Sequence, residues 1–297
     1  MDEGYMSQQK QGRLTSSSSS ASHQSAQVSF RELSTAEEYL GCVDLQKETW
    51  GTDFGDIVPA SILKVSQKVG GITAGAFDEK GTLLGFVYGL SGIKDEKLTH
   101  WSHMLAVKKD ARGLGLGKKL KLYQRELLLA RGVRTAYWTF DPLVARNARL
   151  NLSALGAVIT EYVKDMYIDS SSDLHRGLGM DRFIVSWHLN DERVSKAIEG
   201  KVELDIHRFS QAPVVNTRKQ NGSTLLPVDV EFSSSKSVRV EVPPDIESVQ
   251  ASSLLLASQW RTNTRRVFLW YLQRGYSVVD FYIDAGTGGC FYCLEHH

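Results

Sequence analysis

The chain has 297 residues, 42% of them hydrophobic and 23% charged, which supplies a packed core and excludes global disorder. Its 35 Lys and Arg nearly balance 34 Asp and Glu, so no general field draws it to nucleic acid or anionic lipid, and any anion site must be local. Three cysteines are too few to staple a chain of this length, and no apolar run reaches the ~18 residues of a membrane span.

Residues 1–26 are rich in Ser and Gln, with serine at every position from Ser16 to Ser20, and predict a loose tail. They carry neither the basic start nor the apolar block of a signal peptide, so a cytoplasmic protein is expected. Residues 28–33 alternate as a strand. Ser34 or Thr35 then caps a helix over 36–49, with Tyr39, Leu40, Val43 and Leu45 supplying apolar contacts. Pro59 opens a second helix over 60–69 in the first-turn position. Strands over 72–77 and 83–90 flank the turn Asp78-Glu79-Lys80-Gly81.

A strand over 98–107 runs into a glycine-rich loop, and a helix over 118–131 follows, ended by Gly132. Then come a strand over 135–140, a helix from Pro142 to Leu155 closed by Gly156, and strands over 158–168 and 183–189. A boundary falls near Asn190. The last hundred residues hold short strands, the Pro243-Pro244 break, a long helix over 246–273, Gly275, and a strand over 276–283. The terminal Leu294-Glu295-His296-His297 reads as the start of a histidine tag. The C-terminal helix carries Leu256, Trp260, Val267, Trp270 and Tyr271 near one another, so the segment is expected to pack on what precedes it. Its exit through Gly275 repeats the helix-Gly-strand order around Gly156, as a degenerate half-repeat would. Arg261, Arg265 or Arg266 then faces a substrate cleft, or each is simply a solvated helix charge.

The loop Arg112-Gly113-Leu114-Gly115-Leu116-Gly117-Lys118 frees backbone amides at a helix N-terminus, a site suited to pyrophosphate. Arg112 and Lys119 stand where a P-loop needs Gly and Ser or Thr, and Lys118 stands where G-x-G-x-x-G needs its last glycine. What remains is Arg-x-x-Gly-x-Gly after a long strand, or an ordinary turn.

With Leu105-Ala106-Val107 before it, this stretch resembles the coenzyme A motif of the GNAT acetyltransferase superfamily. A closer pattern, Thr139-Phe140-Asp141-Pro142-Leu143, Arg146-Asn147-Ala148, Asn151-Leu152 and Leu155-Gly156-Ala157, resembles an uncharacterised branch of that superfamily, as do Gly177, Asp181-Arg182-Phe183 and Trp187. The resemblance implies an α/β fold with a mixed, mostly antiparallel sheet flanked by helices over 27–190, and a smaller C-terminal α/β segment over 191–297. It implies acetyl-CoA as co-substrate and a small-molecule or peptide amine as acceptor, with no nucleic acid or membrane partner. Leu105, Ala106 and Val107 would lie along pantetheine, on a strand that splays from its neighbour. Arg112, Gly113, Leu114, Gly115, Leu116, Gly117 and Lys118 would hold phosphate.

Acetyl transfer needs a base for the amine and often an acid for the leaving thiolate. The family's usual acid, a Tyr four residues before the glycine here numbered 156, is replaced by Leu152. His103, two residues before Leu105 and so on its strand face, is the candidate base; it is otherwise a hydrogen-bonded polar residue. His100 is expected at the surface. Asn147 and Asn151, one helical turn apart, reach the pantetheine arm or serve as cap and solvent-facing residues. Asp181 and Arg182 orient substrate or form a structural ion pair. Trp101, Trp138 and Trp187 read as core or pocket wall. Cys290 and Cys293 have too few companions for zinc, and no metal site is expected.

Overall fold

The computed structural model describes residues 27–167, 178–201, 206–220, 224–228 and 232–297. The tail over 1–26, Ile168 and Gly177 lie outside the described residues. The elements run β1 Ser29–Glu32, α1 Ala36–Trp50, α2 Ala60–Lys68, β2 Ile72–Phe77, β3 Leu83–Lys94, β4 Lys97–Val107 and α3 Leu116–Ala130. Next are β5 Thr135–Phe140, α4 Ala145–Ala148 with a π-helical continuation Arg149–Ala154, β6 Val158–Val163 and β7 Arg182–His188. The remainder is α5 Glu192–Ile198, α6 Ile206–Ser210, β8 Thr217–Gln220, β9 Thr224–Pro227, β10 Ser237–Val242, α7 Ile246–Ser252, α8 Leu254–Leu272, β11 Tyr276–Ile283 and β12 Cys290–His296.

Local chemistry fixes most of these ends. Thr35 caps α1 in a reciprocal box with Glu38, whose carboxyl the Arg31 guanidinium holds down at about 2. Leu40 is exposed, and Cys42 takes the buried position the apolar pattern assigned to it. Pro59 is the N-cap of α2, with ψ 151°, one residue ahead of the expected first turn. In the β2–β3 turn, Asp78 Oδ1 accepts from the amides of Lys80 (2.9 Å) and Thr82 (2.7 Å). The helix expected from Pro142 starts at Ala145, because Asp141 Oδ1 accepts from Leu143 N (2.8 Å) and closes a turn there instead. The long helix expected over 246–273 breaks at Ser253, whose extended backbone (φ −158°, ψ 104°) lets its hydroxyl cap α8.

Seven strands form one sheet in the order β1-β2-β3-β4-β5-β7-β6, antiparallel throughout except between β4 and β5. One face carries α1 and α2 over Leu33, Leu45, Leu63, Phe86, Tyr88 and Met104. The other carries α3 over Val87, Leu120, Leu128, Ala136, Trp138 and Val185, and that core continues without a break into Val240, Trp260, Phe268 and Tyr292.

The C-terminal residues form a smaller sheet, β10-β12-β11, whose order and antiparallel pairings reproduce β5-β7-β6. In both sets the helix ends before a glycine of positive φ, Gly156 (70°) and Gly275 (82°). In both, a bulge falls between the third and fifth residues after that glycine, Ile159/Glu161 and Val278/Asp280. The two halves grip each other reciprocally: Phe268 of α8 meets Phe183 (4.8 Å) and Tyr162 (5.7 Å), while Ser153 Oγ donates to Phe281 O (2.9 Å) of β11. The terminal residues, Leu294 to His296, pair into this sheet as the end of β12. Leu294 is fully buried, Glu295 takes Arg208 (2.5 Å), and His296 pairs with Tyr276.

Buried ion pairs cross the same seam. Asp141 holds Arg261 (2.5 Å) and Arg182 (3.4 Å), while Asp181 holds Arg265 (2.5 Å) and accepts from the Tyr162 hydroxyl (2.5 Å). Asp181 thus pairs across the seam with Arg265 and Arg182 pairs within the first half with Asp141, so the two side chains are not each other's partners, and Arg261 and Arg265 are interface residues. Removing one member of such a pair strands the other charge.

Expressing residues 27–190 alone should abolish the cooperative melt, because the shared aromatic cluster is cut in half. In the full chain Phe268→Ala should cost about 3–5 kcal/mol in a urea titration. A fragment with an unchanged melting temperature would show the C-terminal segment to be an independent module.

Candidate functional site

β4 and β5 pair at three positions only, Thr99↔Thr135, His100↔Ala136 and Trp101↔Tyr137. Beyond them the strands part, and from Ser102 to Val107 β4 is paired with β3 alone. The edge carrying Leu105, Ala106 and Val107 therefore presents backbone groups without a strand partner.

At the open end of β4 a short 3-10 turn, Lys109–Ala111, leads to Arg112 and the glycine loop. Gly113 (φ 85°) and Gly115 (φ 71°) both use left-handed backbone, and nothing lies within 4 Å of where their Cβ atoms would be. Gly115 is the N-cap of α3, and Lys119 N is bonded to Gly115 O (3.1 Å). The amides ahead of it, from Gly115 to Lys118, are those that a helix N-terminus leaves without intrahelical acceptors. Arg112 and Leu114 are exposed, Leu116 is buried, and Gly117 packs near Leu105. Lys118 sends its ammonium to Ile198 O (3.0 Å) at the end of α5, so its side chain is tied to the C-terminal segment.

The register of β4 decides which side chains flank the parting. Tyr88 pairs with Met104 but Gly89 with Ser102, so His103 is an extra residue in a bulge. The bulge reverses the alternation. His103 lies edge-on to Tyr88 (6.0 Å) in the α1/α2 layer, whereas Leu105 packs in the α3 layer. The expectation that the two share a face fails for that reason. Burial lowers the pKa of His103 from its usual value, and Asp56, in the loop between α1 and α2, opposes the shift. On the same face the Thr139 and Tyr167 hydroxyls lie 3.1 Å apart.

The α3 face holds a buried polar cluster that sequence reasoning missed. His100, expected at the surface, is 1% exposed. Lys121 Nζ donates to Ser102 Oγ (2.9 Å) and Gln124 Oε1 (3.0 Å), and sits 3.7 Å from the centroid of the Trp138 ring. Ser102 also donates to Gln124 Oε1 (2.9 Å). The Gln124 amide nitrogen faces His100 Nε2 (3.1 Å), which fixes the imidazole proton on Nδ1, toward Ser91 Oγ (3.1 Å). The only signal for this cluster in the sequence is a Lys on the apolar stripe of a helix.

Asn151 is buried and its Oδ1 accepts from Trp138 Nε1 (3.1 Å), so its carboxamide oxygen steadies the indole at the parting. Asn147 is half-buried one turn earlier. Trp187 packs edge-on to Trp138 (5.6 Å) and donates to Leu155 O (2.7 Å). Cys290 and Cys293 are buried in β12, and among the described residues no group of three His, Cys, Asp or Glu is arranged to hold a metal. No helix among the described residues is long and apolar enough to cross a membrane.

No protein-family model matches the chain, and a search of curated proteins found no match. Solved structures do resemble it. A GNAT-family acetyltransferase from Streptococcus pneumoniae is 17% identical over 54% of this chain and 98% of that one, with a TM-score of 0.43. The ribosomal-protein-S18-alanine N-acetyltransferase from Escherichia coli is 15% identical over 56% and 96%, with a TM-score of 0.43. A chain of the NatC complex bound to Gag peptide and CoA is 17% identical over 54% and 98%, with a TM-score of 0.44.

The His100 cage has a measurable consequence. Burial, with the Lys121 and Arg131 charges, pushes the pKa of His100 from 6.5 down to about 3. Between those values the unfolded chain binds a proton that the folded one refuses. The stabilisation is therefore complete above pH 6.5 and is lost towards pH 3, at up to about 1.4 kcal/mol per pH unit. Urea titrations between about pH 4 and 6 should show a shallower acid limb for His100→Gln than for the unaltered chain. Equal slopes would mean that His100 is protonated in the fold.

Proposed function

We propose that the chain is an acetyl-CoA-dependent N-acetyltransferase of the GNAT type, transferring acetyl directly to a small-molecule or peptide amine within a ternary complex. The observation that carries this reading is the parting of β4 and β5 after Trp101 and Tyr137, with the glycine loop at the open end of β4. The amides from Gly113 to Lys118, with the helix dipole behind them and the Arg112 cation beside them, suit a pyrophosphate. The unpaired edge at Leu105, Ala106 and Val107 suits the amide-bearing pantetheine arm, which would lead the thioester to the apex of the parting.

At that apex the His103 bulge faces the α1/α2 layer. Its depressed pKa leaves the imidazole unprotonated at neutral pH, ready to take a proton from an amine directly or through water. Nucleophilic nitrogen bonds to the acetyl carbon, the carbon–sulfur bond breaks, and the electron pair leaves on sulfur. Asn147 and Asn151 would reach the pantetheine arm, Asn151 through its hold on Trp138. A second reading, a non-catalytic acyl-CoA-binding module, is favoured by Leu152: an apolar side chain, 4% exposed, stands where the family's usual acid would be.

Acetyl-CoA at about a hundred times its Kd should stabilise the fold by about 2.7 kcal/mol, read as a rise in melting temperature. Gly115→Val should remove the rise, since valine resists φ 71° and would put a side chain into the open space through which a phosphate must approach the amides. No stabilisation at saturating coenzyme refutes the reading. With a panel of amines, release of free thiol separates enzyme from binding module. His103→Ala should then lower turnover by about a hundredfold or more while leaving the thermal shift intact. Unchanged turnover would retire His103 as the base.

A further inference from the structure

The acetyl-transfer reading leaves the departing thiolate without an acid, because Leu152 has no proton to give. The buried cluster on the α3 face bears on that gap. Ser102 is the first residue of β4 beyond the last β4–β5 pair, and Trp138 is the first of β5 beyond it. Lys121 bridges these two residues, with its Nζ 2.9 Å from Ser102 Oγ and 3.7 Å from the Trp138 ring centroid. Its ammonium group therefore lies over the apex where the strands separate, on the face from which the glycine loop and α3 rise. His103 flanks the same apex from the opposite face.

We propose that Lys121 is the proton donor to the leaving coenzyme A thiolate, supplying from α3 the acid that the Leu152 position lacks. The proposal rests on the acetyl-transfer reading. The acceptor amine approaches from the His103 face and the coenzyme departs along the glycine-loop face, so base and acid sit on the sides where each proton is handled. As the carbon–sulfur bond breaks, its electron pair goes to sulfur and one N–H proton of the Lys121 ammonium follows. The proton that the amine surrenders to His103 or water later restores Lys121, and the cycle closes on amide and free thiol.

The surroundings fit that task. Three acceptors face the ammonium: Ser102 Oγ, Gln124 Oε1 and the Trp138 π face, with the Trp187 ring further off at 5.6 Å. Among the described residues no carboxylate pairs with Lys121, and the titratable neighbour behind Gln124, His100, is held neutral. Burial without a counter-charge pushes the lysine well below its usual range, which loosens its hold on the proton it would give to sulfur. A thiolate arriving at the apex would also be the counter-ion that this buried cation lacks.

The test uses the full chain and coenzyme A itself. All three cysteines are buried, so an ultraviolet difference spectrum between the coenzyme A complex and the desulfo-coenzyme A complex reports the bound thiol. In the unaltered protein that thiol should titrate about one to three pH units below free coenzyme A, as expected beside an opposite charge. In Lys121→Met, and in Lys121→Gln should the first variant fold poorly, coenzyme A should still stabilise the chain while its thiol titrates as the free one does. Binding with an unshifted thiol in the unaltered protein overturns the proposal and leaves acetyl transfer standing. A shift that survives both substitutions overturns it as well. Absence of any coenzyme A stabilisation overturns the acetyl-transfer reading and this proposal with it.

Discussion

Two parallel strands that begin paired and then separate create a problem that the rest of this molecule answers. Backbone amides and carbonyls cannot be left buried without partners, so a parted edge must be filled by chain, water or ligand. In the first half of the fold, β4 and β5 separate after Trp101 and Tyr137. The bulge at His103 forms at that point, turning one imidazole toward the α1/α2 layer while Leu105 and Val107 continue under α3. A glycine loop then supplies further unpartnered amides at the end of the same strand. His103 lies two residues beyond the last β4–β5 pair, and Lys121 reaches the same place from α3 through Ser102.

The second half meets the same constraint in the opposite way. β10 occupies the place that β5 holds in the first sheet, and its outer edge meets a parallel stretch around Val214. Arg239 N donates to Pro213 O (2.8 Å), and Val215 N donates to Arg239 O (3.1 Å). Where the strands would next separate, Asn216 closes the edge with its side chain: Nδ2 donates to Glu241 O and Oδ1 accepts from Glu241 N, both at 2.8 Å. A carboxamide reproduces both hydrogen bonds of a strand neighbour. The half-repeat thus fills with its own chain the gap that the first half leaves open, and no glycine loop precedes it.

What the second half gives instead is burial and fixed geometry. Phe268 and Tyr292 fill the aromatic cluster beside Phe183, and Tyr292 donates to Pro142 O (2.8 Å) just past the end of β5. Arg261 joins Arg182 on Asp141, and Arg265 neutralises Asp181, at the end of the first sheet. The β5–α4 corner is thereby held from outside by a segment that contributes no residue to the glycine loop.

The order of elements, the hairpin at Asp78–Gly81 and the glycine loop were legible because each rests on local rules: alternation, turn chemistry and positive φ. The helix-Gly-strand order around Gly156 and Gly275 was legible for the same reason, and the matching sheet order and bulges share it. Faces and partners were not legible. A single bulge at His103 inverts the side-chain alternation that a strand's period of two would predict, and nothing in the sequence announces it. Lys121 shows only as a lysine on the apolar stripe of α3 until that helix is laid across Ser102 and Trp138, and His100 looks like surface until Gln124 covers it. The pairing of Leu294 and His296 was not legible either, because strand pairing between residues far apart in the chain leaves no local trace. The sequence by itself determined which segments are strands, helices and phosphate-suited turns. Only the tertiary structure decided which side chains meet at the separation of β4 and β5, because that depends on register and layer packing between distant segments.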